Sequence, residues 1–250
     1  MKMTKSVLRA LDILELVSSS QKSVTLSQIA HILGINRTTA SRFVQTLGSR
    51  GYLMKNNDRN EYQIGLKILP LAAKSLDSNR LRVESLPYLE ELATKCGERI
   101  NLGILYEGEV LYLGGVDKPS LPMKYSLFGK TPPAHCCSLG KVMLAHMPEE
   151  EVGAILDRKP LIKLTENTIT DRKLLYQHLA EIRSQGYATD NQETLPGVCC
   201  TGALVKDSEG RGIGAISITS TSNLEKIKEK LDDLLQTAEI ISHAMGTTVL

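Results

Sequence analysis

Three groups of residues in this 250-residue sequence have the types and spacing to do chemistry. The first is His135-Cys136-Cys137 together with Cys199-Cys200, where thiolates and an imidazole could hold a metal ion or form a redox switch. Recognised zinc sites favour spaced cysteine pairs, and adjacent residues of an extended chain point to opposite faces. At most one of each pair then reaches a given side, so metal or thiol-redox sensing stands as the alternative reading. The second group is Ser138-Leu139-Gly140-Lys141. A phosphate-binding P-loop would need glycine at 135 and Ser or Thr at 142, where the chain has His135 and Val142. A nucleophile elbow would need glycine where Cys136 stands. There is no H-E-x-x-H and no C-x-x-C, and His31, His146, His178 and His243 fall on expected helices without ligand partners nearby in sequence. No enzyme, catalytic residue, metal or cofactor is therefore expected.

The third group is Arg37, Thr38, Thr39, Ser41, Arg42 and Gln45. Arginine and glutamine make bidentate contacts to guanine and adenine edges, while Thr and Ser reach phosphates or the thymine methyl. No acidic residue occurs between Glu15 and Asp58. Residues 1–80 carry twelve Lys and Arg against five Asp and Glu, a net +7; the remainder carries 18 against 23, a net −5. A basic head on an acidic body suits a module for a polyanion fused to a domain with another task.

The elements needed to position that third group are legible. Val7, Leu8, Leu11, Ile13, Leu14, Leu16 and Val17 recur at helical spacing, so Ser6–Val17 should be a helix with a broad buried face. Thr25 and Gln28 fit a capping box for a second helix, which Gly34 would end in a left-handed conformation. Asn36 should cap a third helix with Ala40, Phe43, Val44 and Leu47 inward, closed by Gly51. Two helices joined by a tight glycine turn make a helix-turn-helix, whose second helix enters the major groove. Residues 52–55 and 61–64 should be strands of a hairpin wing, with Lys55 and Arg59 near its tip and able to reach phosphates. Residues 1–65 are expected to be this winged helix-turn-helix, and residues 66–80 a linker helix with Pro70 in its first turn.

Residues 81–250 are expected to form a second domain. Val83–Cys96 reads as a helix stopped by Gly97, and residues 101–106 and 110–114 as a hairpin around Glu107-Gly108. Met123–Phe128 gives a third strand. Helices follow at about 138–147, 149–157 and 171–185, strands near 198–206 and 212–219, and a last helix over roughly 223–246. The fold class is α+β, with a largely antiparallel sheet and packed helices. No run approaches the roughly 18 apolar residues of a membrane helix, the N-terminus is not a signal peptide, and five cysteines suit a reducing cytosol. A cytoplasmic location is expected.

The order and spacing of several segments resemble the isocitrate lyase regulator (IclR) family over nearly the whole chain. They are Ala134-His135-Cys136-Cys137-Ser138-Leu139-Gly140-Lys141, Gly186–Glu193, Gly197-Val198-Cys199-Cys200 and Gly214–Thr219. The chain departs from the family at Cys136-Cys137, where many members have Ala followed by Thr or Ser, and at Gln192, where many have an acid. The resemblance implies a GAF-like effector domain and a pocket between its sheet and the Ser138 segment. Its lining would include Ser138, Leu139, Asp190, Val198, Cys200, Ser217 and Thr219. Chemically this is coherent: amides around Leu139 and Gly140, at the positive end of a helix, could hold a carboxylate. Ser217 and Thr219, two apart on a strand, face one side. Asp190 could accept from a hydroxyl or anchor the pocket loop. The expected protein is a ligand-responsive regulator, a repressor, binding a pseudo-palindromic double-stranded DNA operator. It should assemble with itself as a dimer or dimer of dimers and answer to a small carboxylic or sugar-acid effector.

Overall fold

The basic N-terminal segment packs around Ile13, Val17, Ile29, Ala40, Val44 and Leu53. In the computed structural model, which describes residues 3–20, 22–56, 58–117, 129–221 and 224–246, these come from α1 (Lys5–Ser19), α2 (Leu26–Ile32), α3 (Arg37–Ser49) and β2 (Leu53–Asn56). The capping box forms as the spacing predicts: Thr25 Oγ1 accepts from the Gln28 amide while Gln28 Oε1 accepts from the Thr25 amide at 2.8 Å. Gly34 adopts φ +60° and ends the turn between α2 and α3. β2 pairs antiparallel with β3 (Glu61–Ile64) as the wing. A two-residue β1 (Val24–Thr25), absent from the sequence reading, pairs with the other edge of β3.

One expectation fails here. The first helix does not bury a broad face: Ile13 and Val17 are inside, but Val7, Leu8 and Leu11 are exposed. α4 (Ile68–Asp77), with Pro70 in its first turn, buries none of its residues. Apolar periodicity identifies a face able to be covered; it does not say whether this chain alone covers it.

The chain separates into two compact units, Met1–Ser78 and Asn79–Leu250. The second begins with α5 (Arg80–Cys96), capped by Asn79 and stopped by Gly97 in the left-handed region. β4 (Arg99–Tyr106) and β5 (Glu109–Val116) make a hairpin, β6 (Tyr187–Asn191) and β7 (Cys199–Lys206) follow, and β8 (Gly212–Ser220) completes an antiparallel sheet ordered β5-β4-β8-β7-β6. β6 was not foreseen as a strand, and the strand expected at Met123–Phe128 lies outside the described residues. The last helix divides into α9 (Leu224–Lys228) and α10 (Leu231–Gly246).

On one face of the sheet sit α6 (Ser138–Ala145), α7 (Glu149–Arg158) and α8 (Arg172–Gln185), sharing a core with Val110, Ala188, Leu204 and Ala215. α6 lies so close that a Cβ on Gly202 of β7 would come within 3.0 Å of the Ser138 backbone. Glycine is needed there because a helix and a strand touch main chain to main chain.

Candidate functional site

α3 forms because Asn36 accepts from the Thr39 amide at 2.7 Å and the inward residues Ala40, Val44 and Leu47 are buried. Arg37, Thr38, Arg42 and Gln45 are exposed, while Thr39 and Ser41 are half-buried. Positions 38, 41, 42 and 45 fall on one stripe at i, i+3, i+4, i+7. Gln45 Nε2 donates to Ser41 Oγ at 3.3 Å, which steadies the amide along that stripe. The stripe holds hydrogen-bonding groups and a guanidinium and no acid, the composition a base-edge reader needs. Lys55 is exposed on β2 and Arg59 in the wing turn, where Asn56 Oδ1 accepts from the Asp58 and Arg59 amides.

The second constellation lies on the α6 face of the sheet. Strand register puts Asp190, Cys200, Thr219 and Arg99 in one cross-strand row, and Ala188, Gly202, Ser217 and Asn101 in the next. Directly opposed residues of antiparallel strands point the same way. The structure therefore brings Asp190, Cys200, Ser217 and Thr219 together beneath the start of α6, where Ser138 and Leu139 are buried. Asn101 Nδ2 donates to Thr219 Oγ1 at 2.9 Å and reaches Ser217 Oγ at 3.4 Å, and Cys200 Sγ lies 3.1 Å from Thr219 Oγ1. Val198, half-buried just before β7, accepts from the Gln192 amide at 3.1 Å.

Two of the expected site residues have other work. Asp190 accepts from the Glu193 amide at 2.6 Å and from Thr194 Oγ1 at 2.8 Å, so it anchors the β6–β7 loop. Gly140 is fixed by packing: a Cβ there would overlap the Ala134 backbone at 2.2 Å, so only glycine lets α6 lie against that segment.

Burial pushes the Cys136 thiol up to about 11 and raises Cys137, Cys199 and Cys200 as well. A protonated thiol is neither nucleophile nor metal ligand at neutral pH. Cys136 and Cys137 sit in a turn and both approach the Pro133 carbonyl, at 3.3 and 3.7 Å, so the alternation argued from an extended chain does not apply to them. His135 is spent on the Ile162 carbonyl at 3.0 Å. Among the described residues no three His, Cys, Asp or Glu side chains are grouped to hold a metal ion.

Sequence reasoning missed Asn101, Arg99 and Tyr112. The first strand was begun at Asn101, whereas β4 begins two residues earlier, and the alternation Arg99-x-Asn101 was the available signal. Tyr112 packs against the core that includes Cys137, and burial pushes its hydroxyl well above the usual range. Also missed was the fully buried Lys141, whose ammonium pairs with Glu193 and lies 3.3 Å from His178 Nε2. A separate cavity of about 550 Å³ opens by Leu105, Met143, His146 and Arg211, at the end of β4 away from Arg99. Its Arg211 is already paired with Asp207 and Glu209.

Comparison with known proteins agrees with both halves. The IclR helix-turn-helix domain matches residues 6–56, and the C-terminal domain of the bacterial transcriptional regulator IclR matches residues 73–243. The HTH-type transcriptional regulator XynR of Escherichia coli is 30% identical over 249 residues, covering 98% of this chain and 99% of that one. The DNA-binding transcriptional repressor YiaJ of the same organism is 29% identical over 252 residues, covering 98% and 89%. Among solved structures, an IclR transcriptional regulator from Alicyclobacillus acidocaldarius superposes with a TM-score of 0.82 at 26% identity, covering 98% of this chain and all of that one. No helix among the described residues is long and apolar enough to cross a membrane. With family models matching both the helix-turn-helix and the larger part of the second unit, the chain belongs to the IclR family of transcriptional regulators.

Proposed function

We propose that this protein is a cytoplasmic repressor that binds a pseudo-palindromic operator and is controlled by a small carboxylic or sugar-acid effector. DNA contacts come from Arg37, Thr38, Thr39, Ser41, Arg42 and Gln45 of α3, with Lys55 and Arg59 of the wing on flanking phosphates. One helix-turn-helix reads a half-site, so the working form is a dimer or a dimer of dimers. The exposed Val7, Leu8 and Leu11 of α1 support such an assembly. Repression is favoured by the similarity to the DNA-binding transcriptional repressor YiaJ of Escherichia coli.

The observation that carries the effector reading is the pair of polar rows on an otherwise apolar sheet face. Beneath α6, Asn101 Nδ2 donates to both Ser217 Oγ and Thr219 Oγ1, next to Cys200. Buried hydroxyls and an amide, aligned two residues apart, suit a ligand with several oxygens. The Ser138 and Leu139 amides at the start of α6 add a favourable end for its carboxylate.

A screen of sugar acids and small hydroxy acids for a raised melting temperature, followed by operator gel shifts, tests this. Ser217→Ala with Thr219→Val should abolish the response to the acid and leave ligand-free operator binding unchanged. An acid response that survives the double change would remove these hydroxyls from the site.

A further inference from the structure

The polar rows hold one cationic side chain among the described residues, and it is the one the sequence reading passed over. Arg99 stands opposite Thr219 in register and two residues before Asn101, so it shares the face of Asn101, Ser217 and Thr219. Its guanidinium pairs with Asp117, immediately after β5, at 2.8 Å. Both side chains are only about a quarter exposed, 25% and 28%. The same cross-strand row continues through Thr219 to Cys200 and Asp190.

The alternatives for charge recognition in this neighbourhood are weaker. Lys141 is fully buried and committed to Glu193. Asp190 is an acid already bonded within its own loop. At the helix end, the Ser138 and Leu139 amides offer only the partial charge of a helix N-terminus. Among the described residues, an anionic ligand on this face therefore meets one full positive charge, on a planar donor suited to bidentate carboxylate binding.

We propose that Arg99 is the specificity-determining residue of the effector site, binding the effector's carboxylate in competition with Asp117. This rests on the effector reading given above. Asp117 then has a definite role: it is the internal carboxylate that fills the anion position in the empty site and that an acid must displace. A neutral polyol displaces it poorly, because it would replace the charge–charge contact with a neutral one in a partly desolvated site. Arg99 thus makes the site select acids over the corresponding neutral sugars.

The test uses the full-length protein and a fixed panel of probes: D-gluconate, glycolate and L-lactate, with D-glucose and glycerol as neutral counterparts. Affinities are measured by calorimetry and thermal shift. Wild type should bind at least one acid and neither neutral compound. Arg99→Gln should weaken that acid about tenfold or more, and Arg99→Lys should retain part of the affinity, since a charge-assisted bidentate contact is lost in the first and reduced to a point charge in the second. Asp117→Asn should tighten it about threefold or more by removing the competing charge.

Opposite signs for Arg99→Gln and Asp117→Asn are the signature. A merely structural ion pair predicts that both changes weaken the ligand together, and that result overturns the proposal. If Arg99→Gln binds as wild type while Ser217→Ala/Thr219→Val does not, the site stands and the assignment of Arg99 falls. If no acid of the panel binds, or glucose binds as well as gluconate, the carboxylate reading and this assignment fall together.

Discussion

Lys141 is the costliest residue to have placed where it is. Its side chain is wholly inaccessible, its ammonium faces Glu193, and His178 Nε2 takes a second position at 3.3 Å. Burial, and then the Lys141 charge, push the His178 imidazole below its ordinary value, so at neutral pH it stands uncharged and accepts from the ammonium. Glu193 Oε2 has no hydrogen-bond partner among the described residues, so removing the lysine would leave a buried carboxylate poorly compensated. Lys141→Met should destabilise the fold by about 3–5 kcal/mol, as loss of one member of a buried pair does. Adding Glu193→Gln should recover a substantial part, because the stranded charge goes too. Denaturant unfolding of the two variants checks this; an additive double mutant would show that the pair is not coupled. Nothing in Gly140-Lys141 as a sequence points to this pair, since Glu193 is 52 residues away and meets Lys141 only through the β6–β7 loop.

At the scale of elements, local chemistry was enough where the partners are near in sequence. The Thr25–Gln28 box, the Asn36 cap and the Glu107-Gly108 turn, with both residues at positive φ, follow from types and spacing alone. The same local signals place the reading stripe, because helical periodicity fixes which side of α3 faces away from Ala40, Val44 and Leu47. Arg42, exposed in the middle of that stripe, should make a base-edge contact. Arg42→Ala should lower operator affinity by about 1–3 kcal/mol in gel shifts at fixed salt. Unchanged affinity would take Arg42 off the contact surface. Elements whose neighbours are distant were harder. β1 is two residues long and exists because β3 has a free edge, and β6 is a strand only because β7 offers it a partner. The end of β4 was misjudged by two residues, which was enough to hide Arg99.

The whole molecule divides its charge as it divides its fold, and its two units should divide the work. A fragment of residues 79–250 should bind the acid effector with the affinity of the full chain and show no operator binding, while residues 1–78 should bind the operator weakly. A separate half-site binder forfeits the effective concentration gained by linkage. Calorimetry and gel shifts on the two fragments decide it, and acid binding by 1–78 would overturn the assignment. The sequence by itself determined the basic head, the helix-turn-helix, the wing, the α+β class and the family, because these rest on short-range periodicity, capping and linear spacing. Only the tertiary structure added Arg99 and Asn101 to the face on which Asp190, Cys200, Ser217 and Thr219 lie. Arg99, Asn101, Asp190, Cys200, Ser217 and Thr219 come from four strands, and their rows are set by register between chain segments up to about 120 residues apart. It also decided that Gly140 packs, a role that depends on the Ala134 backbone lying within a few ångströms, and residue type and spacing along the chain carry no record of that.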